Sequence, residues 1–254
     1  MIPGLVVGFV GGLLDGLDTL WDGLWRLPSV MFDWSSYRSF WLYLTVREGW
    51  GEVFGVAWEH AQLVIVSMAW ATIAAFVLGI LIHRVRAMRA PVLGVTSVFL
   101  TLPSLALFAI FVPVVGIGDR GPLIALFMYS LLPIIRNTVT GLEEVDRAVV
   151  ESARGMGMSA VQRLIRVELP LAWPVILTGI RVATLLNTGI AAIAVLVGGT
   201  GLGVYIQDGL TRYPLPNSVE AMWIAVVFSI GLALVFDVCF TILRKLTTSK
   251  GLQP

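Results

Sequence analysis

Residues 151–170 read ESARGMGMSAVQRLIRVELP, a polar segment that separates two runs apolar enough to cross a bilayer. Gly155 and Gly157 lie near its middle, and Leu169-Pro170 ends it. Because glycine accepts the left-handed backbone conformation that a sharp reversal needs, the two glycines predict a turn between two short helices. The segment therefore indicates a compact charged element outside the membrane, placed between two spans.

Capping residues indicate where these two short helices begin and end. Asp146 can cap a first helix that reaches about Ala153, after which the glycines end it. Ser159 is followed three positions later by Gln162, a capping-box pattern that starts a second helix. Pro170 is expected to stop the second helix and to turn the chain towards the membrane.

The rest of the chain is strongly apolar, since 57% of its 254 residues are hydrophobic and 13% are charged. A membrane-spanning helix needs about 20 mostly apolar residues. Backbone amides in lipid must bond within their own segment, and the alternating strands of a membrane barrel are not evident in the sequence. We therefore expect an all-α polytopic membrane protein. Five spans are predicted, at 61–82, 90–118, about 121–138, about 172–199 and about 221–243.

Prolines punctuate these spans. Pro91 lies near the start of the second span and Pro174 opens the fourth, while Pro103 and Pro133 lie inside the second and third. An interior proline kinks a helix and leaves one carbonyl without its helical donor. In transporters such breaks mark moving or substrate-lining regions, and the alternative is that they only set packing angles.

The distribution of basic residues predicts the orientation of the chain, because loops on the cytoplasmic side are enriched in lysine and arginine. The loops and tail on one side carry Arg84, Arg86, Arg89, Arg136, Arg147, Arg154, Arg163, Arg166, Arg244, Lys245 and Lys250. The loops on the other side carry only Arg120 and Arg212. We therefore expect residues 143–170 and the C-terminal tail, 244–254, in the cytoplasm.

The N-terminal segment, residues 1–57, differs from the rest of the chain. Tryptophan favours the headgroup layer of a membrane, and six of the nine tryptophans lie in the first 60 residues. Residues 14–25 place aspartates on one helical face and leucine and tryptophan on the other. This pattern predicts a helix lying in the membrane interface, and the alternative is an additional span near residues 2–20.

The polar segment resembles the "EAA" loop of binding-protein-dependent ATP-binding-cassette (ABC) importer permeases. That loop reads E-A-A, three residues, G, nine residues, then I-x-L-P. Every spacing is kept here by Glu151, Ala153, Gly157, Leu169 and Pro170. Serine at 152 and valine at 167 are conservative departures. We call residues 143–170 the EAA loop; the resemblance implies that it docks onto a separate ATPase subunit.

The resemblance narrows to the osmoprotectant branch, which imports glycine betaine, choline or carnitine. The stretches TLPSLALFAIFVPVVGIG (101–118), ALFMYSLLPIIRNTVTGLEEVD (125–146) and LVGGTGLG (196–203) are similar to that branch. This resemblance implies a five-helix type I importer core over residues 58–243 in the cell membrane. The implied partners are an ATPase, a second permease copy or paralogue, and an extracytoplasmic solute-binding protein. The residues implied in ATPase coupling are Glu151, Ala153, Gly155, Gly157, Met158, Leu169 and Pro170.

Polar side chains inside the spans are candidates for a translocation path, because charge in lipid is costly and commonly functional. The alternative is interhelical hydrogen bonding, which membrane bundles use routinely. The candidates are Thr101, Ser104, Tyr129, Ser130, Arg181, Thr184, Asn187 and Thr188. Asp237, an acidic residue inside the fifth span, is expected to pack against a partner or lie near the cytoplasmic end.

Other functions lack the residues they need. The sequence has no G-x-x-x-x-G-K-[ST] phosphate loop, no metal-ligand spacing and no catalytic triad, so no catalytic residue, metal or cofactor is expected. No basic cluster suits nucleic acid. A permease for another solute, such as an amino acid or a sulfonate, remains an alternative. An ion-coupled secondary transporter is disfavoured by the scarcity of acids inside the spans, and a membrane enzyme by the lack of converging catalytic groups.

Overall fold

The computed structural model describes residues 40–215 and 217–247, which form helices joined by turns without any strand. Most of the N-terminal segment, for which an interfacial helix or an additional span is expected, lies outside these residues. The helices are α1 Trp50–Arg84, α2 Arg89–Thr101, α3 Ser104–Val115, α4 Arg120–Glu143, α5 Arg147–Gly155, α6 Ala160–Arg163, α7 Leu169–Ala191, α8 Gly203–Arg212 and α9 Ser218–Thr247. Short turns complete them: π-helical at Tyr43–Glu48 and Leu164–Glu168, and 3-10 at Arg86–Met88 and Ala194–Val197.

Four helical stretches within the described residues are long and apolar enough to cross a membrane: α1, α4, the continuous stretch Ala160–Ala191 and α9. A fifth candidate is a bent pair, Arg86–Thr101 followed by Ser104–Val115, whose two arms meet at 99°. Counted as one span, the bent pair completes the five spans that the sequence predicts.

The second span is broken rather than kinked. Leu102 is extended, with ψ of 138°, and Pro103 precedes the first residue of α3. A proline disfavours helical backbone in the residue before it, which explains why α2 ends at Thr101. The hydroxyl of Tyr129 in α4 donates to the carbonyl of Leu102 at 2.8 Å, so the broken backbone gains a hydrogen-bond partner.

The fourth span corrects the expectation that Pro170 stops a helix. The helix runs through Pro170 from Ala160 to Ala191. In the π-helical turn before it, the amide of Leu169 donates to the carbonyl of Leu164, five residues back. Pro170 lies in the first turn of α7 after this widened turn, where a missing N–H is tolerated.

The limits of the fourth span also differ from the prediction. The span begins twelve residues earlier than expected, so Pro174 lies inside α7 instead of opening the span. The carbonyl of Pro174 accepts a hydrogen bond from the hydroxyl of Thr178 at 3.0 Å. At the other end α7 stops at Ala191, and the glycine-rich residues up to 201 form turns rather than more helix.

Helix α4 forms the centre of the bundle, and glycines bring its neighbours close to it. A methyl group on Gly179 of α7 would lie 2.5 Å from Cβ of Asn137, and one on Gly79 of α1 would lie 2.7 Å from Cβ of Thr138. Membrane helices associate through such small residues because van der Waals contact, rather than water exclusion, stabilises them in lipid.

Helix α9 is the most peripheral of the described spans. Its buried residues are confined to its first two turns: Ser218, Ala221, Ile224 and Ala225. There it packs on α8 and the start of α1 in a small core at the end opposite the EAA loop. Further along, Phe236 and Phe240 pack partly against the main core. Near its end, Trp173 of α7 donates to the hydroxyl of Thr247 at 2.8 Å.

Candidate functional site

The first helix of the EAA loop has the two ends that the sequence predicts. The carboxylate of Asp146 accepts from the amide of Ala148 at 2.8 Å and caps the start of α5. At the other end, Gly157 has φ of +83°. Its amide donates to the carbonyl of Arg154 at 3.0 Å, and that of Met158 donates to the carbonyl of Ala153 at 3.2 Å. This is the Schellman arrangement, which closes a helix and reverses the chain.

The second helix begins with the predicted capping box. The amide of Gln162 donates to the hydroxyl of Ser159 at 3.3 Å, and the amide of Ser159 donates to the side-chain carbonyl of Gln162 at 2.9 Å. Both orphan donors are therefore satisfied locally. Consequently the helix–glycine–helix shape depends on nearest neighbours along the chain.

The element presents an apolar surface at its bend. Met156, Val161 and Ile165 are 71%, 64% and 59% exposed. Glu151, Gly155 and Gly157 are also exposed, whereas Ala153 is buried beneath the bend. Met158 and Leu169 are half-buried and Pro170 is exposed. Exposed apolar side chains gathered at a protruding bend form the kind of surface that inserts into a groove on a partner protein.

Glu168 anchors the element to the membrane bundle. Its side chain is nearly fully buried, and its carboxylate accepts from Arg84 at 2.9 Å and from Arg163 at 3.2 Å. Arg84 ends α1, whereas Arg163 belongs to the EAA loop itself. A buried carboxylate with two guanidinium partners has its lone pairs satisfied by charge-assisted hydrogen bonds. Glu168 thereby links the EAA loop to the end of α1.

A cavity of about 350 Å³ lies beside this anchor, between the EAA loop and the ends of α1 and α4. Four arginines and three glutamates line it: Arg84, Arg86, Arg147, Arg163, Glu143, Glu151 and Glu168. Glu143 also binds Arg89 through both carboxylate oxygens, at 2.5 and 3.1 Å. The EAA-loop end of the bundle is therefore a dense network of opposite charges.

Two of the predicted path residues meet in the interior of the bundle. The amide nitrogen of Asn187 donates to the hydroxyl of Ser130 at 2.7 Å and to the carbonyl of Leu126 at 3.0 Å. The hydroxyl of Ser130 donates to the carbonyl of Leu126 at 2.8 Å. Within the described part of the chain the Asn187 side-chain oxygen is buried without a hydrogen-bond partner. The polar contact therefore ties α7 to α4.

The other path candidates are dispersed. Thr184 and Thr188 are buried, and each hydroxyl donates to the carbonyl four residues earlier in its own helix. Tyr129 supports the break at Leu102, near exposed Thr101 and half-buried Ser104. The six candidates other than Ser130 and Asn187 do not join them in a shared hydrogen-bond cluster among the described residues. Their role in translocation stays a prediction.

Arg181 and Asp237 form an ion pair between α7 and α9. The guanidinium donates to one carboxylate oxygen of Asp237, with Nε–Oδ1 at 2.7 Å and Nη2–Oδ1 at 2.5 Å. Both side chains retain about a third of their exposure. The expected partner of Asp237 is thus Arg181, a charge inside the fourth span.

Residues 39–249 match the family of binding-protein-dependent transport system inner membrane components. The chain belongs to this family. It is therefore a transport subunit that crosses the membrane several times, and it is one component of a transporter with an ATPase and a substrate-binding protein.

Characterised relatives of this permease are similar over most of their length. The choline transport system permease protein OpuBB of Bacillus subtilis is 36% identical over 203 residues, covering 80% of this chain and 92% of the relative. The glycine betaine/carnitine/choline permease OpuCB of the same species is 37% identical over 203 residues with the same coverage. The osmoprotectant import permease OsmW of Salmonella typhimurium is 36% identical over 208 residues, 80% and 95% of the two chains.

A solved structure supports the fold of this permease independently. The MetNI methionine ABC transporter, in an inward-facing conformation, matches with a TM-score of 0.68 over 78% of this chain and 96% of that chain. The identity is 21%, so the likeness concerns the fold alone. It confirms the predicted five-span importer-permease architecture.

Two residues that link separate helices of this permease, Glu168 and His60, have no contact that the sequence pattern predicts. Glu168 occupies the variable position of I-x-L-P, and its only signal is an acid between several arginines. His60 is fully buried; its Nδ1 accepts from the amide of Leu202 at 3.2 Å, and its Nε2 lies 2.9 Å from the carbonyl of Thr188. Because Nδ1 accepts, Nε2 carries the proton and donates to Thr188. His60 thereby ties α1 to α7 and to the turn before α8.

Proposed function

We propose that this permease is the membrane-spanning subunit of an ATP-driven importer for osmoprotectants such as glycine betaine, choline or carnitine. The observation that carries the proposal is the EAA loop, a protruding helix–glycine–helix element whose foot is fastened to α1 through Glu168. The relatives OpuBB and OpuCB, which are permeases for choline and for glycine betaine, carnitine and choline, supply the substrate class.

The geometry of the loop supports the coupling residues that the family resemblance implies. Gly155, Gly157 and Met158 form the bend, and Glu151 lies on the exposed side of α5. Ala153 packs beneath them, while Leu169 and Pro170 connect the loop to α7. A groove on the ATPase that receives the exposed apolar bend would transmit its closure to α1 and α7. Alternating access to the pathway then follows ATP binding and hydrolysis in the partner.

The orientation and composition of the complex belong to the same proposal. The EAA loop and the C-terminal tail face the cytoplasm, because the arginine-rich ends of the spans gather on that side. A second permease subunit, identical or paralogous, completes the pathway with two-fold symmetry, the usual symmetry of such assemblies. The solute-binding protein docks on the opposite face, where α8 and the starts of α1 and α9 lie.

Transport by the native complex tests the proposal. The tagged permease is purified in mild detergent, and an ATPase and a solute-binding protein are expected to copurify with it. The complex is then reconstituted into liposomes that contain ATP, and uptake of radiolabelled glycine betaine, carnitine and choline is measured. We expect uptake that requires ATP, is inhibited by vanadate and persists when an ionophore collapses the ion gradients.

Competition distinguishes the remaining alternatives. Excess unlabelled methionine or taurine should leave glycine betaine uptake unchanged if the substrate class is correct. Preferred uptake of the amino acid or the sulfonate would reassign the substrate. Uptake without ATP that an ionophore abolishes would replace the ATP-driven importer with an ion-coupled transporter.

A further inference from the structure

The Arg181–Asp237 ion pair lies deep within the membrane region. Arg181 is ten residues from the end of α7 at Ala191, and Asp237 is ten residues from the end of α9 at Thr247. At 1.5 Å of rise per residue each charge is roughly 15 Å from its nearer helix end. Those two ends lie on opposite sides of the bundle. Asp237 is also six residues inside the predicted end of the fifth span at 243, so the pair lies about 9–15 Å inside a hydrocarbon layer that is about 30 Å thick.

The pair is not enclosed by this chain. The side chains of Arg181 and Asp237 are 35% and 32% exposed, while their neighbours on α9, Leu234, Val235 and Val238, are apolar and more exposed. Charged side chains within spans almost always face a protein interior or a water-filled cavity rather than lipid. The exposed side of the pair is therefore expected to face another subunit or a water-filled pathway in the assembled transporter.

Packing alone does not explain why these two residues are charged. An ion pair inside a protein is commonly replaceable by apolar residues without loss of stability. Helix α9 is already held near this level by Phe236 and Phe240, which pack partly against the core. Two opposite charges at this position can bind charged groups of a solute, which two leucines could not do.

We propose that Arg181 and Asp237 recognise the zwitterionic form of the solute as it crosses the membrane. A betaine carries one carboxylate and one quaternary ammonium group. Its carboxylate replaces Asp237 on the guanidinium of Arg181, and its ammonium replaces Arg181 beside the carboxylate of Asp237. The exchange leaves no unpaired charge in the membrane, which is the costly state. This inference rests on the proposed import of osmoprotectants.

The same geometry discriminates against purely cationic solutes. Choline offers a partner to Asp237 and none to Arg181, so its passage leaves a guanidinium unpaired or leaves the ion pair closed. Phe240 lies three residues after Asp237 on the same helix face, where its ring can contribute cation–π attraction to an ammonium group. The pathway therefore favours betaine and carnitine over choline.

The experiment compares uptake of glycine betaine and choline by the complete reconstituted complex. Wild type is compared with the double variant Arg181→Gln/Asp237→Asn, which removes both charges together and leaves neither unpaired. The matched control is Arg89→Gln, which breaks an exposed ion pair at the EAA-loop end of the bundle, outside the hydrocarbon layer. We expect the betaine-to-choline uptake ratio to fall by about tenfold in the first variant, the loss of one charge-assisted contact, and to stay unchanged in the control.

A second variant covers the case in which the neutral pair does not assemble. Arg181→Lys keeps the charge but loses the planar donor fork that fits a carboxylate, so betaine uptake should fall while choline uptake is retained. Equal losses for both solutes, or no change, in an assembled variant would overturn the inference and leave the proposed function intact. Wild-type complex that transports neither solute would overturn both.

Discussion

The carboxylate of Glu168 accepts a hydrogen bond from Arg84 at 2.9 Å, across 84 positions of the sequence. Glu168 belongs to the foot of the EAA loop and Arg84 ends the first span. Arg163, which belongs to the loop itself, binds the other carboxylate oxygen and so ties the second helix of the loop to this foot. The loop is therefore attached to the bundle by an ion-paired anchor as well as by the chain leading into α7.

Replacing Glu168 with glutamine should weaken this anchor. The amide keeps the shape but removes the charge that two guanidinium groups share, so we expect a loss of about 1–3 kcal/mol of stability. The midpoint temperature of thermal unfolding of the purified permease and the rate of ATP hydrolysis by the assembled complex should both decrease. The control is Arg89→Gln, which breaks an exposed ion pair at the same end of the bundle and should change both readouts little.

Replacing Gly157 with valine should uncouple transport without preventing membrane insertion. A side chain at φ of +83° costs about 1–2 kcal/mol, although no atom lies within 4 Å of the added carbon. We expect loss of transport-coupled ATP hydrolysis. Gly94→Val is the matched control, because Gly94 lies in α2 outside the EAA loop and has ordinary helical backbone and equally open surroundings. Coupling that survives Gly157→Val would remove the bend from the mechanism.

Replacing Gly179 with alanine should force α4 and α7 apart. The added carbon would lie 2.5 Å from Cβ of Asn137 and 2.9 Å from the carbonyl of Pro133. Overpacking of this kind costs about 1–3 kcal/mol, so the unfolding midpoint should fall. Gly189→Ala in the same helix meets no atom within 4 Å and should leave the midpoint unchanged or slightly higher. Equal effects of the two substitutions would contradict the close packing.

A double-mutant cycle should detect the contact between Asn187 and Ser130. The variants are Asn187→Ala, Ser130→Ala and their combination, and we expect a coupling energy of about 0.6 kcal/mol, typical of polar contacts in membranes. Thr184→Val serves as the comparison, because its hydroxyl bonds only within its own helix. Its cycle with Ser130→Ala should show additive effects. Additive effects for Asn187 as well would mean that the contact contributes no stability.

Local signals in the sequence account for much of the EAA loop. The Asp146 cap, the Gly157 reversal and the Ser159–Gln162 capping box join residues within a few positions, and the structure confirms each. Pro170 is the exception. The usual effect of proline predicts that the helix stops there, but no residue type marks the widened turn Leu164–Glu168 that lets it continue. The helix therefore continues where local chemistry indicates an end.

The sequence pattern does not predict which residues pair when they are far apart along the chain. Arg181 and Asp237 are each unusual as charges inside a span, yet their pairing across 56 positions depends on how α9 is placed against α7. In the sequence Glu168 cannot be distinguished from an exposed surface glutamate. Only the fold shows that it is buried between two arginines. For Ser130 and Asn187 the residue types suggested either a path or a packing contact, and only the tertiary arrangement shows the contact.

The amino-acid sequence by itself determined the class of the protein, the number of spans among the described residues and the shape of the EAA loop. Apolar length and helix capping act over one segment at a time, so a single chain read in order is enough to infer them. Tertiary structure alone decided which charges neutralise one another and which polar groups are enclosed. These features arise when separate helices meet, because desolvation and ion pairing depend on neighbours that are distant along the chain.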